Sequence, residues 1–336
     1  MIQTTATDSS ILDRYTDDLT SIFSTFSDKR QAHERSRRLI GEIAREPACL
    51  TAAIARHLSS PDALNRPHFP VVSFDATSNP FFEVVFNCWI PLPDRSTDVS
   101  TKSIHHHGPM LLTTATVFGP GYDHWLFARP KPIDGTADLF SLELIQHGRH
   151  AIHEVAFVDA FVAHVPIYPA SLTITVCLWS NSKPTTWRDR LKRVPILQRN
   201  AANLREAATR VGLAEQLDLK VDDYKDYYPT ERGFVGIQSR EEFPYTNNED
   251  YLYSLFHIMQ ETGNQELGAS IEASLSRGGV DNPMLVRVLL DRLRSDEPIE
   301  GRLSDGHYGV PTANFSRVAI EQALASQALD SQGSLA

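Results

Sequence analysis

The sequence of 336 residues has only three cysteines, Cys49, Cys88 and Cys177, and they lie far apart. It contains no Cys-x-x-Cys pair, which excludes a zinc ribbon. An odd number of scattered cysteines also argues against a disulfide framework, because such frameworks need paired and closely spaced residues. We therefore expect three reduced thiols in a cytoplasmic protein.

Basic residues are fewer than acidic residues. The chain has 32 Lys and Arg against 42 Asp and Glu, a formal net charge of -10. This balance argues against a nucleic-acid partner, because nucleic-acid-binding surfaces are basic. The longest basic cluster, 188–193, is interrupted by Asp189 and is typical of a solvated helix face. No apolar run reaches the thickness of a bilayer and the N-terminus lacks a signal-peptide pattern, so we expect no membrane association.

Several catalytic and nucleotide-binding motifs are missing. The sequence contains neither the dinucleotide pattern G-x-G-x-x-G nor a phosphate-binding P-loop. It also lacks the G-x-S-x-G motif, and no cysteine has a neighbourhood that would lower its pKa, so nucleophilic catalysis has little support.

The apolar pattern divides the chain into three parts. Residues 1–65 have helical periodicity and form a predicted N-terminal helical segment. Residues 66–182 are short Val-, Ile-, Thr- and aromatic-rich runs between Pro and Gly, which predicts an antiparallel β-barrel or sandwich. Residues 183–330 are a predicted C-terminal helical region packed on this core, with an irregular aromatic stretch over 224–240. The expected fold class is therefore α+β.

Three consecutive histidines open the most informative stretch, 103–119. The residues after them are apolar and Thr-rich, which favours a strand. Side chains alternate between the two faces of a strand, so His105 and His107 are expected on one face and His106 on the other. Two imidazoles on one face can hold a single metal ion such as iron, zinc, copper or nickel. The alternatives are surface histidines or hydrogen-bonded core histidines.

This stretch resembles the first motif of the cupin superfamily, which has a His-x-His pair, a later Glu and then a Gly. The pair corresponds to His105 and His107, and the glycine to Gly119. The Glu position falls at Leu111 or Leu112, so the motif's carboxylate is missing. In lacking this Glu, the stretch resembles the all-histidine cupins, which include the thiol dioxygenases. The resemblance implies a cupin-like β core over about residues 70–182 and an iron(II) cofactor that activates dioxygen.

The second cupin motif, which supplies the third histidine, resembles residues 158–179. Here His164 ends one predicted strand, and a Pro-bounded turn and the run Ser171-Leu-Thr-Ile-Thr follow. The resemblance therefore implies His164 as the third ligand. Thr173 and Thr175 stand where the thiol dioxygenases have a His and a Tyr, so their Ser-His-Tyr relay does not carry over.

His153 is the alternative third ligand. It is followed by Glu154, which could itself bind a metal or accept a hydrogen bond from an imidazole. If the metal were zinc, Glu154 or Asp159 could serve as the general base of a hydrolase.

Substrate contacts are expected on the strand after the first motif. Tyr122 and His124 are candidates there, and Arg129 could hold a carboxylate or phosphate in a bidentate manner. Tyr168 and Trp179 could line the same pocket, although aromatic residues in a β core more often only pack. His307 is a distant candidate from the helical region.

These patterns lead to three hypotheses. The first is a mononuclear non-haem iron(II) oxygenase or dioxygenase whose partners are a small-molecule substrate and dioxygen. The second is a zinc-dependent hydrolase or isomerase that uses the same histidines. The third is a non-catalytic cupin-like binding protein with a partner interface on its helical half. The cupin resemblance also implies a possible homodimer.

Overall fold

A computed structural model describes residues 8–66, 71–92, 98, 100, 103–133, 138–181, 225–238, 248–302 and 316–333. Residues 183–224 of the expected C-terminal helical region, and His307, lie outside the described residues.

Three N-terminal helices precede the β core. They are α1 (Asp8–Thr25), α2 (Lys29–Arg45) and α3 (Pro47–Leu58), and they confirm the helical prediction. The side chain of Asp28 caps α2 by accepting a hydrogen bond from the backbone N–H of Arg30. Pro47 begins α3, where its missing N–H costs no helical hydrogen bond.

Thirteen strands are present in the described part of the chain. They are β1 (Val71–Ser78), β2 (Glu83–Trp89), β3 (Ile104–His105), β4 (Met110–Phe118), β5 (Tyr122–Phe127), β6 (Lys131–Pro132), β7 (Leu139–Ser141), β8 (Leu144–His150), β9 (Val155–Val158), β10 (Ala163–Pro166), β11 (Thr173–Asn181), β12 (Lys225–Thr230) and β13 (Gly233–Gln238). The C-terminal helices are α4 (Asn248–Glu261), α5 (Gly268–Arg277), α6 (Pro283–Arg294) and α7 (Arg317–Gly333), with a 3-10 turn at Gln265–Leu267.

The strands form two antiparallel sheets. One has five strands in the order β1-β2-β11-β4-β9, and the other has eight in the order β6-β7-β13-β12-β3-β10-β5-β8. Contacts between their inner faces join the sheets: the ring of Trp89 lies 5.6 Å from that of Tyr122, and the Thr116 hydroxyl lies 3.0 Å from Nδ1 of His150. The expected α+β fold, an antiparallel β core flanked by helices at both ends, is confirmed.

The prediction for residues 225–238 was wrong. Residues 225–238 were expected to be irregular, but they form the hairpin β12–β13, and β12 pairs with β3. Alternation explains this hairpin, because Tyr227 and Phe234 both point into an apolar core on one side of the sheet. Pro229 obscures the alternation in the sequence, since proline is normally excluded from the middle of a sheet.

The outer faces of both sheets are covered by helices. Helix α2 packs on β4 and β11, and α3 packs on β1, over the larger apolar core. Helix α7 packs on β12 and β13, over a second core that includes Ile104, Trp125 and Phe127. Residues that alternate with these core residues therefore face the space between the sheets. Within the described part of the chain, no helix combines the length and the apolar character needed to span a membrane.

Candidate metal centre

Three histidines come together on the inner face of the eight-stranded sheet. One ring nitrogen from each of His105, His107 and His164 lies within 4.8 Å of the corresponding nitrogens of the other two. Nε2 of His107 and Nε2 of His164 are 3.0 Å apart. The ring centroids are separated by 4.6 to 4.8 Å. His105 and His164 are 7% and 5% exposed, so these two side chains are shielded from bulk water, whereas His107 is only partly buried.

Strand pairing positions two of these histidines. His105 on β3 lies opposite His164 on β10 in antiparallel register. Side chains at directly opposed positions of neighbouring strands lie on the same face of the sheet. Ile104, next to His105, points into the opposite apolar core. The two imidazoles therefore share the inner face.

The third histidine, His107, lies in a turn and not in a strand. The stretch 103–119 was expected to be one strand, but β3 ends at His105 and β4 begins only at Met110. The prediction was wrong because Gly108 adopts a φ of 55° and Pro109 cannot donate to a ladder. The chain turns there, and the N–H of Met110 donates to the carbonyl of His107 at 3.0 Å. His107 thus reaches the cluster from a turn.

Backbone carbonyls orient two of the rings. Nδ1 of His105 lies 2.8 Å from the carbonyl oxygen of Ser103, and Nδ1 of His164 lies 3.4 Å from that of Val162. A carbonyl only accepts, so Nδ1 carries the proton in each of these contacts. Nε2 then keeps its lone pair for a metal, which is the usual way in which an outer hydrogen bond orders a ligating histidine.

His106 takes no part in the cluster. Its Nδ1 accepts a hydrogen bond from the N–H of Gly108 at 3.0 Å, and its ring packs 5.8 Å from that of Phe161. The expected separation of His106 from His105 and His107 is what the structure shows.

The cluster fits a divalent transition-metal ion. Imidazole nitrogens bind such ions at about 2.0–2.1 Å, so two ligands at a right angle would be about 2.9 Å apart. The separation of 3.0 Å between Nε2 of His107 and Nε2 of His164 is close to this value. Neutral imidazoles suit iron, zinc, copper and nickel alike, so the donor set alone does not select the metal.

The alternative residues lie elsewhere. His153 has a φ of 63° in the connection between β8 and β9 and is not in the three-histidine cluster. The Glu154 carboxylate accepts a hydrogen bond from the N–H of Ala151, close by in the chain. Asp159 forms an ion pair with Arg30 at 2.9 Å, on the helix-covered side of the molecule.

Two of the three expected substrate contacts lie next to the cluster. The ring of His124 is 5.4 Å from that of His164, and the ring of Tyr122 is 6.1 Å from that of His124. Burial, followed by the nearby imidazoles of His164 and His150, holds the pKa of His124 well below its usual value. Burial also raises the pKa of the Tyr122 phenol. Both side chains are therefore neutral polar groups on the wall of the site.

His150 is a further polar group on this wall that the sequence did not single out. The Thr116 hydroxyl donates to the His150 carbonyl at 3.0 Å, so it can only accept from Nδ1 of the same residue. Nε2 of His150 is then an acceptor, and this buried atom has no hydrogen-bond partner within the described residues.

Arg129 is placed away from the three histidines. Its side chain is exposed, and the guanidinium lies 5.9 Å from the ring centre of Phe161, which in turn packs on His106. Its assignment as a substrate contact stays a prediction.

A cleft of about 380 Å³ opens beside His107. Its lining comprises Glu83, Val85, Asn87, His107, Met110 and Trp179. Trp179 forms an edge-to-face contact with His107 at 4.6 Å between ring centres, so the expectation that Trp179 lines a pocket agrees with its position. Tyr168 instead belongs to the larger apolar core. The cleft connects the histidine cluster to solvent and is large enough for a small molecule.

Asp226 is a further polar residue on the inner face that the sequence did not reveal. It lies on β12 directly opposite His105, and its neighbour Tyr227 points into the apolar core on the other side of the sheet. Its carboxylate therefore shares the inner face with the histidines. The residue is only 9% exposed. No local motif marks it, because the pairing of β12 with β3 joins distant parts of the chain.

Several solved structures match part of this chain at low similarity. The DMSP lyase DddQ from Ruegeria pomeroyi has 10% identity over 35% of this chain and 50% of its own length, with a TM-score of 0.23. A cupin-2 domain protein from Rhodospirillum rubrum has 17% identity over 45% of this chain and 84% of its own, also with a TM-score of 0.23. KdgF from Halomonas has 11% identity, coverages of 35% and 82%, and a TM-score of 0.23.

The chain thus spans about half the length of DddQ. No family model and no curated protein matches the sequence. TM-scores and identities this low do not assign the chain to a family, so its function has to be inferred from the site residues themselves.

Proposed function

We propose that this protein is a mononuclear non-haem iron(II)-dependent oxygenase that acts on a small molecule. His105, His107 and His164 would hold the iron. The observation that carries the proposal is the convergence of three imidazole nitrogens within 4.8 Å of one another beside an open cleft. Iron(II) in such a site supplies redox chemistry that activates dioxygen.

The protein's own residues would prepare the site for this chemistry. The carbonyls of Ser103 and Val162 fix the rings of His105 and His164, so little reorganisation is needed when the ion binds. Trp179 holds the His107 ring at its edge and walls the cleft. The neutral side chains of Tyr122 and His124 would bind and orient the substrate without competing for the ion.

A zinc-dependent hydrolase or isomerase is the second candidate. The buried carboxylate of Asp226 favours it, because acid–base chemistry at zinc needs a carboxylate or imidazole near the metal. Glu154 and Asp159 are poorer candidates for this role, since their carboxylates bind Ala151 and Arg30.

The test is metal analysis of protein purified without oxygen. Wild-type protein is compared with His105→Ala, His107→Ala and His164→Ala, and oxygen uptake is followed after iron(II) is added. His147→Ala is the matched control, because His147 is an exposed histidine on β8.

We expect one iron per chain in the wild type and in His147→Ala, and loss of iron and of oxygen uptake in the other three variants. Zinc bound by the same three histidines, without oxygen uptake, would favour the hydrolase or isomerase. If the three histidine variants fold and keep the metal content of the wild type, the metal site is overturned. The non-catalytic binding protein is then the remaining hypothesis.

A further inference from the structure

We propose that Asp226 is the anionic partner of the cation at the three-histidine site, an inference that rests on the metal site proposed above. The hairpin β12–β13 would thereby supply the negative charge that the histidine stretch lacks. In the structure, β12 is the direct neighbour of β3, and Asp226 is the residue opposite His105.

The direction of the Asp226 side chain follows from two independent features. Directly opposed residues of paired strands point to the same face, which places Asp226 on the face of His105. Tyr227, the next residue, is packed in the apolar core under α7, so Asp226 must point the other way. The pKa of Tyr228, two positions along on the same face, is raised by burial and then by the charge of Asp226.

One oxygen of the Asp226 carboxylate also has no hydrogen-bond partner among the described residues. Asp226 is 9% exposed, and this atom, Oδ1, is buried. An unpaired buried charge is strongly unfavourable, so a buried carboxylate normally has a hydrogen-bond donor, a cation or a metal beside it. The carboxylate is not part of the three-histidine group, and a divalent ion held there would be a nearby opposite charge for it.

Charge balance supports the same assignment. The three histidines are neutral ligands and leave a divalent ion with its full charge. One carboxylate on the same face would reduce this charge and strengthen binding of the ion. The sequence places leucines, Leu111 and Leu112, where a nearby carboxylate was sought, and both are buried. The anion would therefore come from a distant strand.

The test measures metal affinity and the stability of the metal-free protein separately. Metal-free wild type, Asp226→Asn, His105→Ala and Glu231→Gln are titrated with cobalt(II), and binding is followed by visible absorption. Glu231→Gln is the matched control, because it removes one negative charge from the exposed turn of the same hairpin. Urea unfolding of each metal-free protein is recorded alongside.

We expect Asp226→Asn to weaken cobalt binding by about 10- to 100-fold, the range found when groups around a metal site are removed. Glu231→Gln should stay within about twofold of the wild type. Metal-free Asp226→Asn should be at least as stable as the wild type, because the amide removes a buried charge whose Oδ1 has no hydrogen-bond partner among the described residues.

Two results would overturn the assignment. In the first, Asp226→Asn binds cobalt with wild-type affinity while His105→Ala loses binding. The histidine site would then bind the metal without a contribution from Asp226. The other is a marked loss of stability in metal-free Asp226→Asn, which would indicate a purely structural carboxylate. Absence of cobalt binding in the wild type would overturn the metal site together with this role of Asp226.

Discussion

Nε2 of His107 and Nε2 of His164 face each other at 3.0 Å, although 57 residues separate the two histidines in the chain. A neutral imidazole whose Nδ1 carries the proton has only a lone pair at Nε2. Nδ1 of His164 faces the Val162 carbonyl, so its Nε2 offers a lone pair towards His107. A cation held by both rings would bind these two nitrogens at once, so metal binding would add to the stability of this region.

Metal binding should therefore stabilise the folded protein measurably. At a free metal concentration one hundred times the dissociation constant, the free energy of unfolding should rise by about 2.7 kcal/mol. We expect this gain for the wild type and for His147→Ala, and none for His164→Ala. Urea unfolding with and without iron(II) or cobalt(II) measures it. An equal gain in His164→Ala would mean that the ion binds elsewhere.

Gly119 should be required for the stability of the fold because of its backbone conformation. Its φ is 83°, and a Cβ at this position would lie 2.0 Å from the carbonyl oxygen of Leu172. Gly119→Ala therefore combines an unfavourable backbone conformation with a clash against backbone, and we expect a loss of about 3 kcal/mol in the free energy of unfolding.

Gly148 provides the matched control for this substitution. It lies on β8, and a Cβ there would meet nothing within 4 Å. Gly148→Ala should change the free energy of unfolding by less than about 1 kcal/mol. Urea unfolding of both variants tests this difference. Equal free energies of unfolding for Gly119→Ala and Gly148→Ala would show that the turn at Gly119 can shift to accept a side chain.

Local patterns in the sequence were sufficient for much of this fold. The helical periodicity within residues 1–65 predicted the N-terminal helical segment, because helix signals extend over only a few residues. The strand after the histidines was recognisable from its Thr, Val and Phe content. The turn at Gly108 and Pro109 was overlooked, although both residues are typical of turns.

Long-range pairing was beyond local patterns. The resemblance to a family motif directed attention to His164, and the structure shows His164 opposite His105. No comparable motif pointed to β12, so Asp226 was missed. Its pairing with His105 depends on a strand contact between remote segments, and such contacts leave no periodic signal in either segment.

The carboxylates of Asp159 and Glu154 should be dispensable for metal binding. Asp159 pairs with Arg30, and both side chains are substantially exposed, so the ion pair should contribute less than about 1 kcal/mol. Asp159→Asn and Glu154→Gln should keep the wild-type affinity for cobalt(II) and unfold within about 1 kcal/mol of the wild type. Cobalt titration and urea unfolding test both variants. A tenfold loss of affinity in either would restore that residue as a candidate for the site.

His33 should make the stability of the protein depend on pH. Its imidazole is fully buried between α2 and the five-stranded sheet, where it hydrogen-bonds to Thr113 at 2.7 Å and Ser180 at 2.8 Å. Burial lowers its pKa from the ordinary value of 6.5 to about 3. Below pH 6.5 the unfolded chain therefore binds a proton that the folded protein does not. The free energy of unfolding decreases as the pH is lowered through this range.

The expected loss from His33 between pH 7.5 and pH 5 is about 2 kcal/mol in the free energy of unfolding. His57, whose pKa burial lowers to about 4, adds to this loss in the wild type. His33→Gln removes one titrating group, so its free energy of unfolding should fall by about 2 kcal/mol less over this range, even if it is less stable at pH 7.5. His147→Gln, at an exposed position, should follow the wild type. Urea unfolding at several pH values measures all three proteins, and an unchanged pH dependence in His33→Gln would show that His33 titrates alike in the folded and unfolded states.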